Sequence, residues 1–341
     1  MNRVILTKDQ IYILSAVFGF LVGVLTFSFY APNYFPDSQS KRFKVEQGER
    51  FKSVAERLEE SEIIPSAFTF KLIGFITGSD SKIKAGEYIF KNGMTYFEIL
   101  DKLKRGGNGE QKLVTIQEGI WQHKLAKLLS EQLDLDEKKI MELSVDKNFL
   151  SDLGINAKTL EGYLLPETYY FHIGSNEEDV LIKLHYEMEK LFDDKALKQM
   201  EVLGMSKHEI LTMASIIDGE SNHVDEFKRI SGVYYNRLKK GMPLQADPTV
   251  QYLIRERKRN NRVLYKDLEI NSPYNTYKYT GLPPGPINNP GKSAVEAALY
   301  PEEHDYYFFV ASGRGDHVFA KTNREHSLNV SKYRRWRESQ K

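Results

Sequence analysis

The sequence predicts an α+β protein in three parts: a single N-terminal transmembrane helix, a small α+β module, and a longer mixed α+β region. Three observations predict it. Residues 11–31 read IYILSAVFGFLVGVLTFSFYA, twenty-one residues without a charge, long enough to span a hydrocarbon core as a helix. From Phe43 onward, short β-prone runs are interleaved with segments whose apolar residues recur at helical spacing. The run Gly106-Gly107-Asn108-Gly109 then breaks this pattern and separates the module from the longer region.

Composition narrows the class. The 341 residues suffice for two or three domains, and 41% hydrophobic with 28% charged residues is an ordinary globular balance. A formal net charge of +1 gives no argument for a nucleic-acid partner. The absence of cysteine excludes disulfides and Cys-ligated zinc or iron–sulfur sites.

Residues 1–10 form a short polar tail with Arg3 and Lys8. Tyr12 and Tyr30 flank the apolar run, where interfacial aromatics belong. Bulky Phe27, Phe29 and Tyr30 argue for a retained anchor over a cleaved signal peptide, which wants small residues at its cleavage site. Lys41, Arg42 and Lys44 come after the helix, so positive charge alone leaves its orientation open. The short tail fits best with a cytoplasmic amino terminus and the large region outside. Residues 32–42 read as a linker.

The module spans 43–107. Phe43-Lys44-Val45 is a strand, and Phe51, Val54, Ala55 and Leu58 mark an amphipathic helix. Phe68, Leu72, Ile73 and Ile76 mark a second helix, Ala85–Phe90 a strand, and Tyr96, Ile99, Leu100 and Leu103 a third helix. The longer region runs from 110 to 341, with its core at about 176–341. It opens with a strand at Leu113–Ile116 and helical patterns at 125–133, 140–143 and 180–191. The apolar segment from Ile210 carries two acids, Asp218 and Glu220, and Gly232–Leu238 is helical. Leu244–Val250 reads as a loop presenting Gln245, Asp247 and Thr249. Asn271–Gly291 holds five prolines and is too broken for regular structure, but it displays Tyr274, Asn275, Thr276 and Tyr277. Tyr306–Ala311 and His317–Ala320 form a hairpin, and a basic helix starts at Asn323.

The acids carry the chemistry. Ile210, Met213, Ala214 and Ile217 share one helical face. Asp218 and Glu220 lie on opposite margins of it, roughly 160° apart, so a regular helix cannot aim both into one cleft. An acid beside apolar surface has a raised pKa, which suits a general acid near neutral pH. The bland alternative, a helix-terminal glutamate facing water, stays open on this segment alone. No metal-binding histidine pair accompanies His223, no nucleophile elbow surrounds Ser215 or Ser221, and no phosphate-binding glycine loop or other cofactor motif is present. The order of candidate acids is Glu220, Asp247, Asp218.

The blocks MASIIDGES, VYYNRLKKGMPLQADPTVQY, SPYNTYKYTGLPPGPINNPG, YYFFVASGRGDHVFAKTNREHSLNV and EGYLLPETYYF together resemble the YceG-like family of endolytic murein transglycosylases. The resemblance covers nearly the whole chain. It implies an inner-membrane anchor, a LysM-like module at 43–107, and a catalytic region outside the cytoplasm. It further implies cleavage within nascent peptidoglycan strands at the bond between N-acetylmuramic acid (MurNAc) and N-acetylglucosamine (GlcNAc), leaving 1,6-anhydroMurNAc ends. The family's segment usually reads ASI-x-E-K-E-T, which puts its second, catalytic acid on Glu220 and its first on Asp218. Gly219 replaces the usual lysine, and glycine inside a helix invites a kink at this point.

In the implied mechanism, protonated Glu220 donates to the glycosidic oxygen while an oxocarbenium-like centre develops at C1. The same residue then takes the proton of the muramyl 6-hydroxyl, which closes on C1. Ser221, Gln245, Asp247, Thr249, Asn275 and Tyr277 are the expected substrate-binding residues, with Asn236 and Arg237 bracing the loop. No metal and no cofactor are called for. Cell-wall synthases are implied as partners by the resemblance and by a shared membrane location. Two other classes remain: a muramidase in which Asp247 or Asp218 holds a water, and a non-catalytic wall-binding scaffold.

Overall fold

The computed structural model describes residues 7–35, 40–106, 111–172, 175–257 and 262–340; at 21, 22 and 24–29 only the backbone is described. Parts of the expected tail, of the linker and of the glycine break fall outside these residues. The chain divides into two compact units: Met1–Leu113 with Tyr170–Ser175, and Val114–Tyr169 with Asn176–Lys341.

The first unit begins with α1 (Lys8–Tyr30), the helix expected over 11–31. Among the described residues no helix is long and apolar enough to cross a membrane. Then come β1 (Ser40–Val45), α2 (Phe51–Glu60), α3 (Ala67–Ile76), β2 (Gly86–Lys91) and α4 (Tyr96–Arg105). β1 and β2 pair antiparallel, with Phe43 opposite Tyr88 and Val45 opposite Gly86. Alternate side chains of a strand share a face, so Phe43, Val45, Tyr88 and Phe90 all enter one core. Val54, Ala55 and Leu58 of α2, Phe70 and Ile73 of α3, and Ile99, Leu100 and Leu103 of α4 complete it. A capping box starts α4: Thr95 accepts from the Glu98 amide, and Glu98 accepts from the Thr95 amide.

β3 (Gln111–Thr115) and β4 (Thr168–His172) form a two-stranded sheet, and the division between units falls inside both strands. Between them lie α5 (Gln122–Leu133), α6 (Glu137–Leu143) and α7 (Lys147–Asp152). The second unit continues with α8 (Glu177–Glu189), α9 (Asp194–Leu203), α10 (Lys207–Glu220), α11 (Val224–Lys239), α12 (Asp247–Leu253) and, after a 3-10 turn at Tyr265–Glu269, α13 (Lys292–Leu299). The hairpin β5 (Phe308–Ala311) and β6 (His317–Ala320) and the last helix α14 (Asn323–Ser339) complete the chain. α10 packs against α11, α12 and α13, and α14 packs on the hairpin.

Two expectations change here. α10 buries every residue from Ile210 to Ile217, not one face. It is the central helix of its unit, and its two polar side chains there bond inward: Thr212 Oγ1 donates to the His208 carbonyl and Ser215 Oγ to the Thr212 carbonyl. The second change is at Asp247, which starts a helix and not a loop. Pro248 in the first turn explains it, since proline lacks an amide hydrogen that this position would leave unpaired.

Candidate active site

One cavity of about 430 Å³ in the second unit has three principal walls: the end of α10 with α11, the turn into α12 with Tyr277, and the hairpin with His326 and Val330 of α14. The first is the end of α10. A capping box at Ser206 and Glu209 fixes its start, and its apolar body fixes its axis. The helix continues through Gly219 and ends one residue later, at Glu220. A Cβ at position 219 would lie 2.7 Å from Cβ and 2.9 Å from Cγ of Pro248, so a side chain there requires a shift of α10 or of Pro248. α10 and α12 approach closely at this point.

Glu220 is half-buried at the rim of this apolar body. The Tyr234 hydroxyl, carried by α11, donates to Glu220 Oε1 at 2.5 Å. The Glu220 carboxyl pKa is pushed up to about 7, by loss of water first and then by repulsion from Asp247. The Tyr234 bond and the charge of Arg237 oppose that rise without cancelling it. The same acid raises the Tyr234 phenol, which burial has already raised.

The second segment is the turn into α12. Gln245 has φ 51°, a left-handed conformation that is uncommon outside glycine, and its amide donates to the Thr276 carbonyl at 3.0 Å. Asp247 comes next but one, exposed, and its Oδ1 accepts from the Tyr277 hydroxyl at 2.6 Å. Arg237 holds this turn from beneath. Its guanidinium donates to the Leu244 carbonyl at 2.6 Å and to the Tyr307 carbonyl at 2.7 Å. The third segment is the hairpin, which contributes Phe309 and His317. Phe309 stands edge-on to Tyr234 and to His317.

Of the residues expected from the sequence, Glu220, Gln245, Asp247 and Tyr277 line this one cavity. Thr249, Asn275 and Ser221 do not, and each is spoken for. Thr249 is fully buried, donating to the Ala246 carbonyl and sharing a hydrogen bond with Thr276. Asn275 is fully buried as a staple, donating to the Leu268 and Ile270 carbonyls and accepting from the Tyr277 amide. Ser221 shapes the turn between α10 and α11: its Oγ accepts from the His223 amide at 3.0 Å and donates to Glu226 at 3.3 Å. In this structure the hydrogen bonds of these three residues go to neighbouring backbone and side-chain groups.

Asn236 and Arg237 brace the loops, as expected, with Asn236 donating to the His304 and Tyr306 carbonyls. Sequence reasoning missed that Arg237 also lines the cavity, and it missed Tyr234 and His317 altogether. Tyr234 lay inside a segment read only as apolar helix. His317 lay in a strand ninety-one residues from its partner Glu226.

Asp218 points elsewhere. Its pKa is also pushed up to about 7, by burial and then by Glu118, with the Gly291 amide opposing. Its Oδ2 is buried without a partner, close beside Gly119. It does not line the Glu220 cavity.

With this geometry in hand, the chain can be set beside known proteins. It is 37% identical over 303 residues to an endolytic murein transglycosylase of Bacillus subtilis, covering 85% of this chain and 83% of that protein. An endolytic murein transglycosylase of Streptococcus pneumoniae is 26% identical over 329 residues, covering 87% of this chain but 59% of the relative. The crystal structure of a YceG-like protein of Listeria monocytogenes, 32% identical, superposes with a TM-score of 0.59 over 85% of this chain and 98% of its own. The YceG-like family model matches residues 43–332, from β1 into α14. That match takes in every segment that walls the Glu220 cavity, and the chain belongs to the YceG-like family.

Proposed function

We propose that this protein is an endolytic lytic transglycosylase of peptidoglycan, cleaving the MurNAc–GlcNAc bond within glycan strands to leave 1,6-anhydroMurNAc ends. The observation that carries the reading is Glu220: an acid with pKa about 7, held by a tyrosine hydroxyl, opening on a cavity of about 430 Å³. At neutral pH a large fraction of it is protonated and able to donate, which an ordinary glutamate is not. Its proton goes to the glycosidic oxygen, the bond to C1 breaks, and the muramyl 6-hydroxyl closes on C1. Asp247, Tyr277 and Gln245 face the sugar from the opposite wall. The relatives named endolytic murein transglycosylases support the same substrate class.

Product analysis tests this. Wild type should release anhydro-ended muropeptides from purified peptidoglycan, and Glu220→Gln should release none. Asp247 favours a second reading, because an exposed carboxylate on the cavity wall can hold a water for hydrolysis. Products ending in a reducing sugar, heavier by one water, would select that reading.

An anchor and a wall-binding module belong to the same reading. α1 supports the anchor through its uncharged run and its exposed Tyr12, Phe18 and Phe20. The first unit supports the LysM-like reading only through its own core around β1 and β2. The catalytic region would then lie outside the cytoplasm, within reach of cell-wall synthases. Retention in membranes after alkaline washing, lost on deleting residues 1–31, is the expected result for the anchor.

A further inference from the structure

Glu226 opens α11, five residues after Ser221, and takes no part in the acid chemistry described above. Its carboxylate grips His317 twice. Oε1 accepts from the His317 amide at 2.7 Å, and Oε2 meets His317 Nδ1 at 2.8 Å. Ser221 Oγ donates to the same Oε2. Both side chains are largely shielded, with Glu226 12% and His317 13% exposed. Phe309 sets its ring edge-on to the imidazole, 5.3 Å between centroids. A carboxylate accepts hydrogen bonds, so Nδ1 carries the proton in this pair. A neutral imidazole then has a bare Nε2, which accepts. His317 lines the Glu220 cavity, and among the described residues nothing bonds Nε2.

An imidazole fixed in one tautomer by a carboxylate, on the wall of a cleft and with its other nitrogen unbonded among the described residues, is the arrangement of a general base. The transglycosylase reaction has one proton to place besides the one Glu220 donates: that of the muramyl 6-hydroxyl. We infer that His317, oriented by Glu226, accepts this proton, the role that the sequence alone leaves to the Glu220 carboxylate. The inference rests on the transglycosylase reading above.

The step balances in atoms and charge. Glu220 gives its proton to the glycosidic oxygen, and the C1–O bond breaks with its electron pair on the leaving GlcNAc oxygen. Muramyl O6 bonds to C1. The O6 proton passes to His317 Nε2, and the imidazolium is held against the Glu226 carboxylate. Glu220 ends as carboxylate and His317 as imidazolium, and proton exchange with solvent restores both. Ser221 acquires a place in the same arrangement, as a hydrogen-bond donor that helps hold the Glu226 carboxylate in position.

The test uses the full-length chain on purified peptidoglycan, with anhydro ends counted and folding monitored by thermal melting. His317→Gln should lower kcat by about 10²- to 10⁴-fold, the usual worth of a general base, while binding to peptidoglycan is unchanged. Glu226→Gln should lower kcat by about tenfold, because a neutral amide orients the ring but does not stabilise its charge. Imidazole added to His317→Ala should restore part of the activity. A folded His317→Gln within about threefold of wild type, beside an inactive Glu220→Gln, overturns the inference and leaves the transglycosylase reading standing. If His317→Gln does not fold, failure of imidazole to rescue a folded His317→Ala overturns it. Full activity in Glu220→Gln overturns the underlying reading instead.

Discussion

Asp218 and Glu220 stand two residues apart on one helix, and burial pushes both carboxyl pKa values to about 7. Their surroundings nonetheless differ in kind. Glu220 has a fixed hydroxyl donor and opens on a cavity walled by polar groups. Asp218 has an oxygen with no partner, closed in beside Gly119, and a second acid nearby in Glu118. A perturbed pKa therefore does not by itself mark a catalytic acid. The cavity on which Glu220 opens, and the hydroxyl that its carboxyl meets there, distinguish the two here.

The largest expected effect breaks the comparison outright. Glu220→Gln should reduce kcat on peptidoglycan by about 10³-fold or more, whereas Asp218→Asn should stay within about threefold. Equal losses in steady-state assays would mean that the two acids act as one unit. Tyr234→Phe comes next. Because the protonated acid is the working form, activity should fall as pH rises through about 7. The Tyr234 bond favours the carboxylate, so removing it should move this alkaline limb upward and lower kcat by about tenfold. A pH–rate profile that does not move would count against Tyr234 as the partner of the ionised form.

Gly219→Ala should act on the wall between the acids. Its Cβ must displace Pro248, and overpacking of this sort costs about 1–3 kcal/mol, read from urea unfolding. Asp218→Asn has an effect on stability that depends on pH. The folded-state pKa lies above the unfolded one, so ionising Asp218 penalises the fold. That penalty is absent below about pH 4 and complete above about pH 7. The variant should match wild type at pH 4 and exceed it at pH 8 by on the order of 1–3 kcal/mol. A difference that does not vary with pH would show that Asp218 ionises at the same pH in the folded and unfolded chain.

Legibility in the sequence tracks its periodicities. Spacing located α2 and α4 with their buried faces; it located α3 and α10 as helices but not their burial, since Phe68 and Ile76 are exposed and α10 is buried all round. The divergence of Asp218 and Glu220 was legible too, since helical geometry fixes angle from position. Side-chain direction within irregular segments was not. Asn275 and Tyr277 sit in the same loop, yet one staples the backbone and the other meets Asp247. Thr249 was hidden by the helix that begins at Asp247. The Glu226–His317 pair depends on chain folding across ninety-one residues, which no local pattern records.

The contact between Gly219 and Pro248 also sets a dimension. It lies between Glu220 and Asp247, the neighbours of those two residues in sequence, so the gap between the two walls is fixed by atomic radii. Hard-sphere contact responds to neither proton nor salt concentration, unlike the charges beside it. The backbones that carry Glu220 and Asp247 are therefore joined at this point by packing and not by charge.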